Sequence, residues 1–261
     1  MSQLVSSIRA EFRKLLTVRS SIVGLALTFL LSLGFGALIS ALIRHNFATM
    51  TTADRLMFDP LQFALAGVMF AQFALGVIGI QSITSEFATG SISTTLAATP
   101  RGWKVLVSKA AVIKVAALVV STISVFVSFF VGIALLKGPG IPTVGLGDPG
   151  VIRQLVLTIL YLVILSVLGM GIGLLMRHTA GSISIFVVTL LILPIIDMLL
   201  PSSIRDATFK YLPSSLGRAM MTNKSEYLYP LFGPYSATLI LSLYALALVG
   251  VGLFFFNRRD V

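Results

Sequence analysis

The stretch Ser85-Glu86-Phe87-Ala88-Thr89-Gly90-Ser91-Ile92-Ser93-Thr94-Thr95-Leu96-Ala97-Ala98-Thr99-Pro100-Arg101-Gly102-Trp103-Lys104 is a polar break between two long apolar runs, at about 61–83 and 105–136. It reads neither as a loose loop nor as a helix buried in lipid. Ser91 to Ala98 can form two helical turns with Ile92 and Leu96 stacked at i and i+4, Ser and Thr around them, and Pro100 to stop the helix. A short helix held between two membrane spans is a mechanical contact; the plainer alternative is a polar connection.

Composition supplies the reason to expect spans at all. Of 261 residues, 57% are hydrophobic and 11% charged, and the mean hydropathy is +1.02, more apolar surface than a water-soluble domain can hide. The net charge of +10 does not point to nucleic acid, because the basic residues punctuate the ends of apolar runs instead of gathering in one domain with interleaved aromatics. There is no cysteine, hence no disulfide framework, thiolate metal site or thiol nucleophile. The first apolar run, Ser20 to Ile43, is too long for a signal-peptide core and lacks a clean small-residue cleavage site, so it reads as a retained span.

Working outward, six runs are each long enough to cross a bilayer: about 20–43, 61–83, 105–136, 151–176, 181–200 and 236–256. Ahead of them, residues 2–18 place Leu4, Val5, Ile8, Phe12, Leu15 and Leu16 on one helical face and Arg9 and Arg13 on the other, the pattern of an interfacial amphipathic helix. The connection Arg177-His178-Thr179-Ala180 is so short that runs four and five must be antiparallel neighbours. The segment 201–235 contains a short helical candidate at 209–221, capped near Ser214 or Ser215. Gly76 and Gly79, and Gly169, Gly171 and Gly173, are candidates for close helix contacts. The expectation is an all-α integral membrane protein, a single transmembrane domain over residues 1–261, with a short cytoplasmic coupling helix.

Charge sets the orientation. With a cytoplasmic N-terminus, the inner segments hold Arg9, Arg13, Lys14, Arg19, Arg101, Lys104, Lys109, Lys114, Arg177, Arg258 and Arg259 against Glu11, Glu86 and Asp260. That bias in the short segments places both termini inside, in a multi-pass protein of the cell membrane.

The pattern Glu86-Phe87, Gly90, Thr94-Thr95-Leu96-Ala97-Ala98, Pro100-Arg101 and Lys109 resembles the first cytoplasmic loop of ABC exporter permeases of the type-2 class. The stretch Leu168 to Gly181 and the ending Phe255-Phe256-Asn257-Arg258-Arg259-Asp260-Val261 agree, while Gly102-Trp103 departs where a second basic residue is common. The resemblance implies a permease subunit that pairs with a second copy or a paralogue. Loop 84–104 would couple it to two ABC ATPase subunits through Glu86, Phe87, Gly90, Ile92, Thr95, Leu96, Pro100 and Arg101. ATP and Mg would sit on those partners, with no cofactor on this chain. It also implies that the N-terminal helix, with Arg9, Phe12 and Arg13, is a connecting helix that touches the ATPase.

The chain's own chemistry is sparse. There is no phosphate loop, no nucleophile elbow, and His45 and His178 fall on opposite sides of the expected membrane, so the chain reads as no enzyme and holds no metal. Asp197 is the one carboxylate well inside an apolar run, where ionisable groups are costly and usually functional. An ion-gradient-driven secondary transporter or channel is the alternative, and would be expected to show several such carboxylates or a broken-helix repeat. A scaffold that only anchors the ATPase is the third reading. Multidrug, lipid and peptide efflux all fit an apolar lateral surface.

The topology is open to direct test, since the chain adds no thiol background. Single cysteines at Ser2 and Ser91 should resist an impermeant thiol reagent on intact cells, while Ser225→Cys should label; labelling of Ser91→Cys from outside overturns the orientation.

Overall fold

The computed structural model describes residues 2–56, 58–91, 102–222 and 232–258. All regular structure among the described residues is helical, with no strand. In chain order the helices are α1 (Ser2–Thr17), α2 (Arg19–Asn46), α3 (Thr52–Leu56), α4 (Pro60–Ala64), α5 (Val68–Ala88), α6 (Gly102–Leu136), α7 (Val151–Met176), α8 (Thr179–Val187), α9 (Leu193–Met198), α10 (Ser202–Thr208), α11 (Pro213–Met220) and α12 (Pro234–Arg258). A π-helical stretch, Val188–Ile192, joins α8 to α9. Among the described residues six helical segments are long and apolar enough to cross a membrane, namely α2, α5, α6, α7, the run from α8 through α9, and α12.

Helix α7 is the axis of the bundle: 78% of its most apolar window is buried, against 17% for α2 and for α12. The run Gly169-Met170-Gly171-Ile172-Gly173 explains how it can be surrounded. At 100° per residue, Gly169 and Gly173 lie on one face and Gly171 about opposite. A Cβ on Gly169 would lie 2.3 Å from the Gly76 carbonyl oxygen of α5, and one on Gly173 would lie 3.0 Å from that of Ile80. A Cβ on Gly171 would instead meet Leu248 of α12 at 2.8 Å. Gly79 completes the α5 seam, its missing Cβ leaving room for the Ser166 carbonyl. The small residues expected at close helix contacts are therefore found there.

Helix α2 is inside-out by the standard of a water-soluble helix. Thr28, Ser32, Gly36 and Ser40, spaced by four, form its buried stripe, while Leu27, Leu30, Leu38 and Leu42 are exposed. Lipid tails solvate leucine as well as a protein core does, so the face that turns inward is the one that lets backbones approach. Ser32 and Ser128 of α6 share a hydrogen bond at 3.1 Å, and Gly36 and Gly132 both close on Ala64 of α4.

Three boundaries differ from the sequence expectation, each for a local reason. The second run does not begin its span at 61: Asp59 caps α4, accepting from the backbone N–H of Leu61 and Gln62, and the chain bends through Leu65–Gly67 before α5 starts. Gly67 sits so close to Ser32 that a Cβ would be 1.9 Å from its carbonyl oxygen. The fifth run is not one α-helix. Leu193 N–H reaches the Val188 carbonyl five residues back, which relieves the clash that Pro194 would otherwise make with the carbonyl of Leu190. Helix α11 has Leu212 as its cap residue and Pro213 at its start, not Ser214 or Ser215, whose hydroxyls are buried without a hydrogen-bond partner among the described residues. It packs against α7 and α12 with Leu216 and Met220 fully buried, and the Tyr161 ring lies over Gly217. The tight α7–α8 turn is as expected: His178 Nδ1 accepts from Gly181 N–H at 3.3 Å, and α8 packs against α7 and α5.

Gly79→Ala should cost about 1–3 kcal/mol of stability through overpacking of the α5–α7 seam, whereas Gly34→Ala, with nothing within 4 Å of its Cβ, should cost nothing. Reversible unfolding of the two variants in mixed micelles measures the difference.

Candidate functional site

Where α1 crosses the end of α5 and the start of α6, four charged side chains meet. Glu86 lies in the last turn of α5, at the negative end of the helix dipole, a place where a carboxylate is disfavoured unless cations compensate. Two do. Lys14 Nζ donates to Glu86 Oε1 at 2.5 Å, and Lys109 Nζ of α6 donates to the same oxygen at 2.7 Å. Lys109 also donates to Glu11 Oε2 of α1 at 2.7 Å, and Lys14 lies 3.9 Å from Glu11 Oε1. Charges thus alternate Lys14, Glu86, Lys109, Glu11. The Lys109 side chain is 2% exposed and that of Glu86 6%, so their attraction is little screened, while Lys14 is 51% exposed and contributes less. Glu86 Oε2 is buried and has no hydrogen-bond partner among the described residues.

This arrangement reshapes α1. The expected single apolar face is divided: Ile8 and Leu15 pack on the bundle on either side of Glu11, whereas Phe12 and Leu16 are exposed along with Arg9 and Arg13. Glu11 must face inward to reach Lys109, and that turns the far edge of the apolar stripe outward. Burial works against the charge on Lys14, but the hydrogen bond with Glu86 and the charges of Glu86 and Glu11 outweigh it, so Lys14 titrates above its ordinary value.

The other coupling candidates are distributed as follows. Phe87 is half-buried, with the Arg177 guanidinium 5.1 Å from its ring centre, which joins the end of α5 to the α7–α8 turn. Thr179 and Thr84 share a hydrogen bond at 2.9 Å beside it. Gly90 is exposed at φ +67°, the left-handed residue that ends a helix and redirects the chain. Ile92, Thr95, Leu96, Pro100 and Arg101 lie outside the described residues. Glu86 was expected as a carboxylate offered to a partner; one of its oxygens is instead engaged by two lysines of its own chain.

Asp197 belongs to a different place. It is buried at the end of α9, eighteen residues of helix beyond Thr179, or about 27 Å along the axis, where Thr208 Oγ1 donates to its Oδ1 and Oδ2 has no partner among the described residues. No group of three or more His, Cys, Asp or Glu among the described residues could hold a metal ion.

Sequence reasoning counted Glu11 and Lys14 only as topological charges and Lys109 as a topological charge and part of the resembled loop pattern, and paired none of them with Glu86. A signal was present: Glu11 and Glu86 are two of only nine carboxylate residues in the chain, and both fall within otherwise basic flanks. No protein-family model matches the chain, and no curated protein matches it.

Lys109→Met leaves the buried carboxylate of Glu86 and the part-buried one of Glu11 without their shared cation and should cost about 3–5 kcal/mol; adding Glu11→Gln and Glu86→Gln should recover much of that loss in the same unfolding measurement. The contribution of Lys14 carries a sign in pH. Because its folded pKa is raised, the stability it adds is full below the ordinary lysine value of 10.5 and is lost as pH rises through the folded value. Lys14→Met should therefore flatten the alkaline limb of the stability curve.

Proposed function

We propose that the chain is the membrane-spanning permease subunit of an ATP-driven exporter of the ABC class. It pairs with a second copy or a related chain, and two separate ATPase subunits hold ATP and Mg. The reading places both termini on the cytoplasmic side of the cell membrane, with α1 as the interfacial connecting helix, Arg9 and Arg13 toward headgroups and Phe12 and Leu16 toward lipid.

The observation that supports it is the ionic clamp. Segment 92–101 links the end of α5 to the start of α6, and Glu11, Lys14, Glu86 and Lys109 tie those two ends to each other and to α1. A push on the segment from outside the membrane is then taken up by two spans together, and from α5 it passes into α7 through backbone contacts at Gly76, Gly79 and Gly169 that have no side chains to yield. That is what a coupling element needs. The charge of Glu86 acts in this scheme by holding the platform, while the apolar Leu96 makes the contact with the ATPase. Substrates of the amphipathic kind, whether drugs, lipids or peptides, suit the exposed leucines and isoleucines of α2, the α8–α9 run and α12.

A second reading, a secondary transporter driven by an ion gradient, is favoured by one observation: the buried Asp197, one of whose carboxylate oxygens has no partner among the described residues, five residues past a π-helical stretch, a feature frequent at functional sites.

Leu96→Ala should lower association with the co-expressed ATPase roughly tenfold, the effect of removing about 1.5–3 kcal/mol of apolar burial, without changing the stability of the chain alone. Co-purification from membranes is the measurement, and full association by Leu96→Ala reduces 84–104 to a connection. Transport that persists without ATPase and is abolished by Asp197→Asn would establish the second reading instead.

A further inference from the structure

At the end of α6 remote from the clamp lies a cavity of about 480 Å³, within the roughly 300–1,000 Å³ of small-molecule sites. One wall is the last two turns of α6, with Phe129, Phe130, Ile133 and Lys137 just beyond them; the other is the loop ahead of α7, with Leu146 and Asp148. Leu136, the last residue of α6, lies 27 residues beyond Lys109, or about 40 Å along the helix axis. The hydrocarbon of a bilayer is only about 30 Å thick, so with the clamp at one surface this cavity opens at the other. Depth then decides what can occupy it. Phe130, Ala134 and Lys137 follow one another along one face of α6, and Phe130, 55% exposed, lies about 10 Å deeper than Lys137. An occupant therefore meets charge at the surface and aromatic carbon in the hydrocarbon, the order in which a phospholipid presents head and chain. Lys137 and Asp148 are both exposed and do not pair with each other. Asp148 is fixed within its own turn: its Oδ2 accepts from the Gly145 N–H at 2.7 Å, and its own N–H donates to the Gly145 carbonyl at 3.1 Å.

We propose that this cavity binds one zwitterionic phospholipid, its phosphate facing Lys137, its cationic head group facing Asp148, and an acyl chain lying over Phe130 and Ile133. Each part answers one feature of the walls. An anionic lipid would set its charge against Asp148, and a cationic amphiphile against Lys137. A diacylglycerol would leave both charges without a counterpart. A water-soluble zwitterion would gain nothing from Phe130. Because the two charges are exposed, they choose between head groups by a few-fold only, and burial of the chain on the apolar floor supplies most of the affinity.

The site needs neither the ATPase nor transport, so the measurement is made on the full chain alone. The chain is purified from nanodiscs that contain equal amounts of phosphatidylcholine and phosphatidylglycerol with the same acyl chains, and native mass spectrometry counts the lipids of each kind retained. Ala134 lines the cavity from the exposed face of α6, so Ala134→Trp fills it without entering the core. The wild-type chain should retain one phosphatidylcholine more than this variant, with the phosphatidylglycerol count unchanged. Asp148→Asn keeps an oxygen for the Gly145 N–H and removes only the charge; it should abolish the preference for phosphatidylcholine at this one position. Lys137→Gln should lower the occupancy of that lipid at least threefold. Water-soluble glycerophosphocholine at the same concentration should fail to displace it. Identical lipid counts in the wild type and Ala134→Trp, loss of phosphatidylglycerol instead of phosphatidylcholine, indifference to both charge substitutions, or displacement by the soluble head group would each overturn the proposal. Failure of the exporter reading would leave all of these outcomes unaffected.

Discussion

Hydrocarbon gives apolar side chains no reason to leave the surface, so the helices of this chain are held together by closeness of approach instead. That constraint accounts for most of what the bundle does. Helix α7 is enclosed because three glycines, two on one face and one on the other, let α5 and α12 come within backbone contact of it. Helix α2 turns its serines, threonine and glycine inward and its leucines outward for the same reason. Dispersion between closely packed backbones takes the place that the hydrophobic effect holds in water. Some polar groups inside the bundle pair with one another, as where the Tyr161 hydroxyl donates to Gln72 Oε1 and the Gln72 amide donates to the Met69 carbonyl.

Against that background the ion cluster at one end of the bundle is exceptional. Two lysines and two glutamates cancel in charge, which is what allows Lys109 to be almost fully buried. The cluster also solves a topological problem. Among its described side chains, helix α1 offers Ile8 and Leu15 to the core as large apolar anchors, and the lysine bridges add a second attachment. The same chemistry gives one Glu86 oxygen two lysine donors, while the other is buried and has no hydrogen-bond partner among the described residues.

The opposite region, around Asp197, is organised on another principle. Pro194 forces a π-helical stretch ahead of it, and Thr208 folds back from α10 to engage the carboxylate. Helix α11 then packs inward over Tyr161, whose ring occupies the space left by Gly217. Within 201–222, α11 is thus largely buried, whereas α10 has no buried residue.

How much of this was legible in the chain depends on the range of the interaction concerned. The six apolar runs, their helical character and the antiparallel pairing across Arg177-His178-Thr179-Ala180 followed from sequence, because length, hydropathy and a very short connection are local properties that the bilayer constrains on its own. The glycines of α5 and α7 were recognisable as contact points for the same reason, being the residues that permit backbone approach; the serine and threonine stripe of α2, equally small and spaced by four, was there to be read and went unnoticed. What sequence could not decide was partnership. Glu86 lies 75 residues from Glu11 and 23 from Lys109, and nothing local tells a carboxylate at a helix end whether its cation comes from its own chain or from another; the folded bundle, by laying α1 across α5 and α6, links the four charges through hydrogen bonds. The bend at Gly67, the π-helical stretch before Pro194 and the inward turn of Glu11 are likewise settled by which backbone or charge stands opposite, and only the tertiary structure supplies that neighbour.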